Sequence, residues 1–151
     1  EVDITYIPMQ QGFMYLTAVI DVFSRVIVGW GLSNTLDSNS SLEVVKSAIA
    51  RHGKPEILNS DQGSQFTCLD YVSYLKKNGI QISMDGKGRA LDNIYIERFW
   101  RTIKYQHIYL NPAEDGITLY KGIKSWIDKY HHRDHQGIGR IKPIEKYRNA
   151  A

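Results

Sequence analysis

The sequence contains a single cysteine and no long apolar run, and these absences narrow the kinds of protein it can be. One cysteine excludes an internal disulfide and is typical of reducing compartments, so we expect Cys68 to be a small buried side chain on a helix. The longest apolar run, Phe13–Ile20, has the length of a strand and falls short of a membrane span. The opening residues EVDITYIP lack the basic start and apolar segment of a signal peptide. We therefore expect a cytoplasmic protein.

Acidic residues outnumber basic ones only in the first part of the chain. Residues 1–85 carry 6 Lys or Arg and 9 Asp or Glu, a net charge of −3, whereas residues 86–151 carry 13 and 7, a net charge of +6. A basic C-terminal region favours a polyanionic partner, because phosphates are bound largely by Lys and Arg. An ordinary solvated surface explains a charge of this size as well.

The hydrophobic pattern predicts an α/β protein with five strands. With 42% hydrophobic and 23% charged residues, we expect one folded domain over residues 1–151. Three apolar segments joined by short connections favour antiparallel strands, after which helices and strands alternate. The predicted strands cover residues 3–7, 13–20, 25–32, 56–60 and 80–84. This order predicts a mixed five-stranded sheet with helices on both faces.

Helical spacing of apolar residues marks the helices between and after these strands. Ser40 and Glu43 match a capping box, which predicts the start of the first helix, and Gly53 is expected to end it. A second helix is predicted on the stripe of Phe66, Leu69, Val72 and Leu75, ending at Asn78 and Gly79. A third helix is predicted from Asp92 or Asn93 to about Ile108, with Ile96, Phe99, Trp100 and Ile103 facing the core. A fourth is predicted on the stripe of Leu119, Ile123, Trp126, Ile127 and Tyr130, and a last short helix from Pro143.

The stretch ILNSDQGSQF, residues 57–66, places Asp61 at the tip of a predicted strand. Asp and Gly are common in turns, and Asp or Ser often caps the helix that follows, so a turn is one interpretation. The other interpretation is a functional carboxylate, because sites in α/β sheets lie near strand ends. The residues by themselves leave both interpretations open.

A second candidate carboxylate is Glu97, which shares one polar helix face with Asn93, Arg101 and Lys104. A solvated face with a Glu97–Arg101 pair, contributing about 0.3–0.5 kcal/mol, is the simpler interpretation. A carboxylate flanked by two cations could also hold a metal ion together with a phosphate bound to it. Asp3 is a third candidate, because charged residues are uncommon within strands.

Two further segments carry residues that often bind ligands. The segment DGKGRAL, residues 85–91, is expected to be a mobile loop, and its glycine spacing matches no phosphate-loop fingerprint. His131, His132 and His135 invite a zinc interpretation, but zinc normally requires four ligands, and adjacent histidines are poorly placed to share one ion. Contacts with a DNA backbone or with a helix C-terminus are the preferred interpretation.

Four segments of the chain together resemble a known family. DITYIP, GFMYLTAVIDVFSRVIVGW, NSDQGSQF and DNIYIERFW resemble the catalytic core of insertion-sequence transposases related to retroviral integrases, the DDE enzymes with an RNase H-like fold. The resemblance extends from Val2 to about Tyr147. It implies a polynucleotidyl transferase that performs phosphodiester cleavage and strand transfer during transposition and DNA integration. An RNase H-like nuclease without strand transfer, or a catalytically inactive DNA-binding relative, are the alternatives.

The resemblance selects three of the candidate carboxylates, Asp3, Asp61 and Glu97, as the catalytic residues and metal ligands, with 35 residues between Asp61 and Glu97. It implies two Mg²⁺ ions, replaceable by Mn²⁺, when DNA is bound: one bridged by Asp3 and Asp61, the other held between Asp3 and Glu97. The resemblance also implies that Arg101 and Lys104 contact DNA. Lys87 and Arg89 of the basic loop are further predicted DNA contacts. Asp21 then has a structural role in the IDVFSR hairpin.

The chain departs from the family pattern at several positions. Asn59 stands where relatives usually have His, and Ile94 and Arg98 stand where they often have Ala and Ser. Relatives carry an N-terminal helix-turn-helix region that recognises the ends of the element, and residues 1–151 contain no such segment. The resemblance further implies a homo-oligomer that acts on element ends and target DNA at the bacterial nucleoid.

Overall fold

The computed structural model of this chain describes residues 1–86 and 93–150 and contains five strands, the number predicted. The strands are β1 (Val2–Pro8), β2 (Phe13–Ile20), β3 (Ile27–Ser33), β4 (Ile57–Ser60) and β5 (Gln81–Met84). β1, β2 and β3 pair antiparallel in that order, with Asp3 opposite Ala18, whereas β4 and β5 pair in parallel.

The predicted single sheet is present as two hydrogen-bonded ladders, one of three strands and one of two. β1 contacts β4, so the two ladders lie side by side. β4 and β5 have four residues each, and Ile57 of β4 is opposite Gln81 of β5. The mixed α/β architecture is therefore as predicted, while the continuous five-stranded ladder is not.

Six α-helices follow or connect the strands in the part of the chain that the structure describes. They are α1 (Ser38–His52), α2 (Ser64–Thr67), α3 (Leu69–Lys77), α4 (Ile94–Ile103), α5 (Gly116–His131) and α6 (Pro143–Asn149). A π-helical segment, Lys104–Ile108, continues α4 to the residue where the predicted helix ends, and Gln136–Ile138 form a 3₁₀ turn. None of these helices combines the length and apolar character needed to cross a membrane.

One prediction about a helix end is wrong. The first helix is capped by Asp37, whose Oδ1 accepts a hydrogen bond of 2.7 Å from the N–H of Ser40, instead of by a box formed by Ser40 and Glu43. An aspartate carboxylate at the N-cap also complements the positive end of the helix dipole. Gly53 ends α1 as predicted, with φ of 84°.

The predicted second helix is interrupted at Cys68, which adopts an extended conformation between α2 and α3. The break rotates the two helical faces relative to each other, so Leu69 is 80% exposed while Tyr71 is buried. Cys68 is therefore half-buried at a helix junction and not inside a helix, and its Sγ donates to the carbonyl of Gln65.

Alternation along β2 sends side chains to two separate cores, one on each face of the sheet. Leu16, Ala18 and Ile20 pack with α4 and α5, whereas Val19 points the other way and packs with α1 and α3. The first core is closed by the predicted stripes of α4 and α5, whose buried members are Ile96, Phe99, Trp100, Ile103, Leu119, Ile123, Ile127 and Tyr130. The sheet thus has helices on both faces, and α4 lies against β1.

Candidate active site

Asp3 is a buried carboxylate in the middle of the sheet, with only 8% of its surface exposed. Its Oδ2 accepts a hydrogen bond of 3.0 Å from Nε1 of Trp100 on α4. A buried carboxylate without a donor would be costly, and a buried indole N–H likewise needs an acceptor, so each group satisfies the other. β1 and α4 are thereby joined by a polar contact inside an otherwise apolar interface.

The carboxyl groups of Asp3 and Glu97 are in contact. They share a side-chain hydrogen bond, and burial raises the pKa of Asp3 to about 7. The negative charge of Glu97 raises this pKa further, while the hydrogen bonds from Trp100 and from the backbone N–H of Ile4 oppose the rise. Two carboxyl groups that share one proton in this way are unfavourable as a doubly charged pair, and a cation between them would offset their repulsion.

Lys104 supplies positive charge beside this pair. Its Nζ donates a hydrogen bond of 2.6 Å to Oγ1 of Thr5 on β1. Burial lowers the pKa of Lys104, and the charges of Glu97 and Asp3 oppose that shift. The ammonium group therefore lies within electrostatic range of both carboxylates, where it reduces their mutual repulsion.

Asp61 occupies the tip of β4, as the sequence predicts, and forms the turn into α2. Its Oδ1 accepts a hydrogen bond of 2.8 Å from the N–H of Gly63. A Cβ on residue 63 would lie 2.9 Å from this same oxygen, so glycine is required for the turn in this form. The turn interpretation of Asp61 is therefore confirmed, and its second carboxylate oxygen is not engaged in this contact.

The structure brings together two of the three predicted carboxylates. Asp3 and Glu97 are in contact, whereas Asp61 is held in its own turn, and residues 1–86 and 93–150 contain no group of three acidic, histidine or cysteine side chains close enough to hold one metal ion. β4 lies beside β1, which places Asp61 and Asp3 on neighbouring strands.

A network of amide, hydroxyl and carboxylate groups connects the ends of β4 and β5 to the start of α4. Asn59 donates to Oδ1 of Asp85 at 3.0 Å and to Oδ1 of Asn93 at 3.4 Å, and it accepts from Ser83 at 2.8 Å. Gln62 donates to the carbonyl of Asp85, which places the turn of Asp61 against the same strand end. The amide at position 59 thus orders the strand tips around the site, where Asp85 directly follows the end of β5.

The predicted basic contacts lie in different surroundings. Arg101 is exposed on α4, with its guanidinium 5.9 Å from the ring centre of Tyr105, and Lys104 is beside the carboxylate pair. Lys87 and Arg89 lie outside the described residues.

Asp21 has the structural role predicted for it, since its Oδ2 accepts from the N–H and the hydroxyl of Ser24 in the hairpin between β2 and β3.

The three histidines each have a contact with the protein. Nε2 of His131 accepts a hydrogen bond of 2.9 Å from the N–H of Ile27, and burial lowers the pKa of His131 to about 4. His132 contacts the carbonyl of Asp128, and Nδ1 of His135 accepts from the N–H of Gly137. These contacts tie the end of α5 to β3 and to the 3₁₀ turn.

The site residues that the sequence analysis missed are Trp100 and Thr5. Trp100 was assigned to the core by its helical spacing, and it is buried, but its indole N–H also orients Asp3. The signal that could have found it is chemical, because a buried tryptophan N–H requires an acceptor and few acceptors lie inside an apolar core.

The donor set fits a hard divalent cation. Mg²⁺ prefers carboxylate oxygens and is usually held by one or two protein carboxylates plus water and substrate phosphates. Asp3 and Glu97 supply such carboxylates at one place, and burial, with a smaller contribution from the charge of Glu97, raises the pKa of Asp3 and so disfavours its charged form in the absence of a cation. A cation at this pair would remove the repulsion and release the shared proton.

Comparison with protein families identifies two matching models, both described as integrase core domain. The first matches residues 1–90 and the second matches residues 78–143. The two matches together contain β1 to β5 and α1 to α5. They also contain the three predicted carboxylates, since Asp3 and Asp61 lie in the first match and Glu97 in the second.

Curated relatives are transposases of bacterial insertion sequences. The chain is 37% identical over 151 residues to the transposase for insertion sequence element IS904 of Lactococcus lactis subsp. lactis (strain IL1403), an alignment that covers 96% of this chain and 60% of that protein. It is 33% identical over 153 residues to transposase InsF for insertion sequence IS3A of Escherichia coli (strain K12), covering 97% of this chain and 52% of that protein. The chain therefore spans about half to three-fifths of the length of these relatives.

Solved structures with the same fold are viral integrases. The simian T-cell lymphotropic virus intasome matches with a TM-score of 0.82 at 16% identity, over 97% of this chain and 52% of that chain. The catalytic core domain of BIV integrase matches with a TM-score of 0.76 at 16% identity, over 99% and 92% of the two chains. The HTLV-2 integrase catalytic core domain in complex with magnesium, in its trimeric form, matches with a TM-score of 0.74 at 17% identity, over 95% and 91%. At these identities the likeness shows a common fold.

Proposed function

This chain belongs to the integrase core domain family, and we propose that it is the catalytic core of a DNA transposase that cleaves phosphodiester bonds and transfers strands during transposition. The observation that carries the proposal is the Asp3–Glu97 pair at the junction of β1 and α4, in which the buried carboxyl group of Asp3 is hydrogen-bonded to exposed Glu97 and has a raised pKa. Perturbed carboxylates at a strand–helix junction are typical of functional sites.

Asp3, Glu97 and Asp61 are the residues that would hold divalent cations, Mg²⁺ or Mn²⁺, with two ions expected when DNA is bound. Such ions supply an activated oxygen nucleophile and stabilise the leaving oxygen of the phosphodiester. Asp3 is the member shared between the two expected positions, one toward Asp61 on β4 and the other toward Glu97 on α4. Its central place in the sheet, adjacent to both β4 and α4, supports this assignment.

The side chains around the pair have separate roles in this proposal. Trp100 orients the carboxylate of Asp3 by donating to Oδ2, and the network around Asn59 and Asp85 fixes the end of β4 from which Asp61 projects. Lys104 neutralises part of the negative charge of the pair. The proton shared by Asp3 and Glu97 leaves when a cation binds, because the pair then no longer needs it.

Asp61 keeps its turn in this proposal. The carboxylate oxygen that accepts from Gly63 stays bound in the turn, and the other oxygen is the one proposed to reach a cation. Because a phosphodiester bound with its cations supplies ligands and positive charge at once, DNA is expected to favour this third contact.

The substrate in this proposal is duplex DNA at the ends of an element and at a target site. The two relatives described above are bacterial transposases, so we propose that the protein acts in the cytoplasm on nucleoid DNA. A homo-oligomer is the proposed assembly, because two element ends have to be processed together. The HTLV-2 integrase catalytic core domain has dimeric and trimeric forms, and this supports a homo-oligomer for a chain of the same fold.

The test measures cleavage and strand joining separately, with labelled duplex DNA carrying element ends and Mn²⁺, using the whole transposase that contains this chain. Asp61→Asn, Asp3→Asn and Glu97→Gln are each expected to lower both reactions by at least about a thousandfold, because each removes one cation ligand. Asp70→Asn is the matched control: Asp70 is an exposed acid in the first turn of α3. Strand joining that persists in Asp61→Asn would contradict the proposal, and cleavage without joining in the unchanged protein would indicate a nuclease.

A further inference from the structure

A cleft of about 300 Å³ beside α4 concentrates positive charge. Its lining includes Arg25 from the β2–β3 hairpin, Tyr95, Arg98 and Arg101 from α4, and His135 from the segment after α5. The described residues that line it include no aspartate or glutamate. Three arginines therefore line one opening, and none of its described lining residues is acidic.

Arg25 is held in a backbone conformation that an arginine rarely adopts. Its φ is 68°, in the left-handed region that favours glycine. The conformation is imposed by its surroundings, since the N–H of Arg25 donates to the carbonyl of Asp21 at 2.7 Å, and the carbonyl of Arg25 accepts from the hydroxyl of Tyr130 at 3.0 Å. Glycine would fit this position without strain, so the presence of a long cationic side chain points to a use for it.

The side chain of Arg25 packs against the aromatic ring of Tyr95, and both residues line the cleft. Its guanidinium lies 4.0 Å from the ring centre of Tyr95, and the residue is half-buried. Within residues 1–86 and 93–150, no ion pair involves Arg25, Arg98 or Arg101. A stacked guanidinium keeps its N–H groups available in the plane of the group, which is the geometry that binds phosphate oxygens.

The remaining groups at the cleft add donors. Nδ1 of His135 accepts the N–H of Gly137, so the proton of the neutral imidazole is on Nε2, which can donate to an anion. Burial lowers the pKa of His135, and the nearby charges of Arg25 and Arg133 lower it further, which is the effect expected where positive charge accumulates.

We propose that this cleft binds a phosphodiester of the DNA backbone through Arg25, Arg98 and Arg101, at a position separate from the Asp3–Glu97 pair. The inference rests on the proposed function, in that the ligand is the same DNA. Glu97 and Arg98 are consecutive on α4, so a phosphate held in the cleft fixes the register of the duplex relative to the carboxylates. Contacts to backbone phosphates position a duplex without reading its sequence.

The chain provides a matched pair of variants for the test. Arg140 also has a positive φ, of 60°, and is exposed outside the cleft. Arg25→Gly and Arg140→Gly therefore make the same substitution, remove the same charge and relieve the same kind of backbone strain. Both variants are expected to fold, and their urea midpoints should equal or exceed that of the unchanged chain, which separates binding effects from unfolding.

Binding of a fluorescent duplex is measured by anisotropy over a series of KCl concentrations, without divalent metal. Arg25→Gly is expected to weaken binding by about tenfold and to reduce the salt slope by about one, as for the loss of one phosphate contact. Arg140→Gly is expected to leave both unchanged. Equal losses in the two variants, or wild-type affinity in Arg25→Gly, would overturn the proposal.

A second measurement tests the cleft independently of DNA chemistry. Inorganic phosphate is titrated into the labelled chain, and the side-chain Nε–H signals of Arg25, Arg98 and Arg101 are followed by NMR. Saturable shifts that Arg25→Gly abolishes are expected, and their absence would count against the cleft even if DNA binds elsewhere. Failure of the proposed function has a different signature, namely loss of duplex binding altogether or strand joining that persists in Asp61→Asn, with the phosphate shifts retained.

Discussion

Nε1 of Trp100 donates a hydrogen bond of 3.0 Å to Oδ2 of Asp3, and this contact joins two residues that are 97 positions apart in the chain. It connects the core face of α4 to the first strand and holds one carboxylate oxygen in place. The hydrogen bond stabilises the charged form of Asp3, in opposition to burial, which raises the pKa of Asp3. The indole of Trp100 therefore contributes both to core packing and to the protonation state of Asp3, the proposed metal ligand.

Replacement of Trp100 by Phe keeps an aromatic ring in the core and removes the donor. We expect the pKa of Asp3 to rise above about 7 and the affinity for Mn²⁺ to fall about tenfold, the lower end of the effect of losing a partner that orients a metal ligand. Isothermal titration with MnCl₂ at pH 7 measures the affinity. Trp126→Phe, at a half-buried tryptophan of α5, is the control, and equal losses in the two variants would show that packing alone is responsible.

The raised pKa of Asp3 predicts how the metal-free chain responds to pH. An acid whose pKa is higher in the folded state than in the unfolded state contributes stability at low pH, and this contribution is lost as pH rises from about 4 to about 7. Asp3→Asn mimics the protonated form, so its stability relative to the unchanged chain should increase across this range by on the order of 3 kcal/mol. Urea unfolding in EDTA measures the difference, and a difference that does not vary with pH would contradict the assigned pKa.

The lowered pKa of His131 predicts that stability depends on pH in the opposite direction, over nearly the same pH range. Burial holds its pKa at about 4, with the charges of His132 and His52 lowering it and Asp128 opposing them, and its Nε2 must stay unprotonated to accept from Ile27. When the pKa of a base is lower in the folded state than in the unfolded state, the folded protein loses stability as pH falls from about 6.5 to about 4.

His131→Gln keeps an acceptor and cannot be protonated, so the stability of this variant should resist acid better than that of the unchanged chain, by up to about 3 kcal/mol at pH 4. Thermal unfolding from pH 8 to pH 4 checks this. His132→Gln, at an exposed neighbour, is expected to unfold as the unchanged chain does. If the two variants respond identically to acid, the hydrogen bond to Ile27 does not control the pKa of His131.

Lys104 is expected to compete electrostatically with a bound cation. Its ammonium group lies near Asp3 and Glu97 and donates to Thr5. Lys104→Met keeps most of the packing of the side chain and removes the charge, so Mn²⁺ should bind about fivefold more tightly in the absence of DNA. Titration with MnCl₂ at low salt tests this, with Lys124→Met on exposed α5 surface as the control. Weaker Mn²⁺ binding would mean that Lys104 instead orders the carboxylates.

The elements with strong periodic signals were predictable from the sequence. The run Phe13–Ile20 is a strand over the same residues, and the stripe of Ile96, Phe99, Trp100 and Ile103 is buried, because the burial of apolar side chains alone imposes these periods. The break at Cys68 was not predictable, since the apolar residues on either side of it continue a helical spacing and only tertiary packing selects Tyr71 over Leu69 for the core.

The residue types and order of the chain by themselves determined the α/β class, the family resemblance and the position of Asp61 at a strand tip. Tertiary structure decided which side chains meet: Asp3 with Glu97 and Trp100, and Arg25 with Tyr95 of α4. The physical reason is that local propensity and hydrophobic period act over a few residues, whereas a pKa or a cluster of charges depends on burial and on distances between segments far apart in the chain.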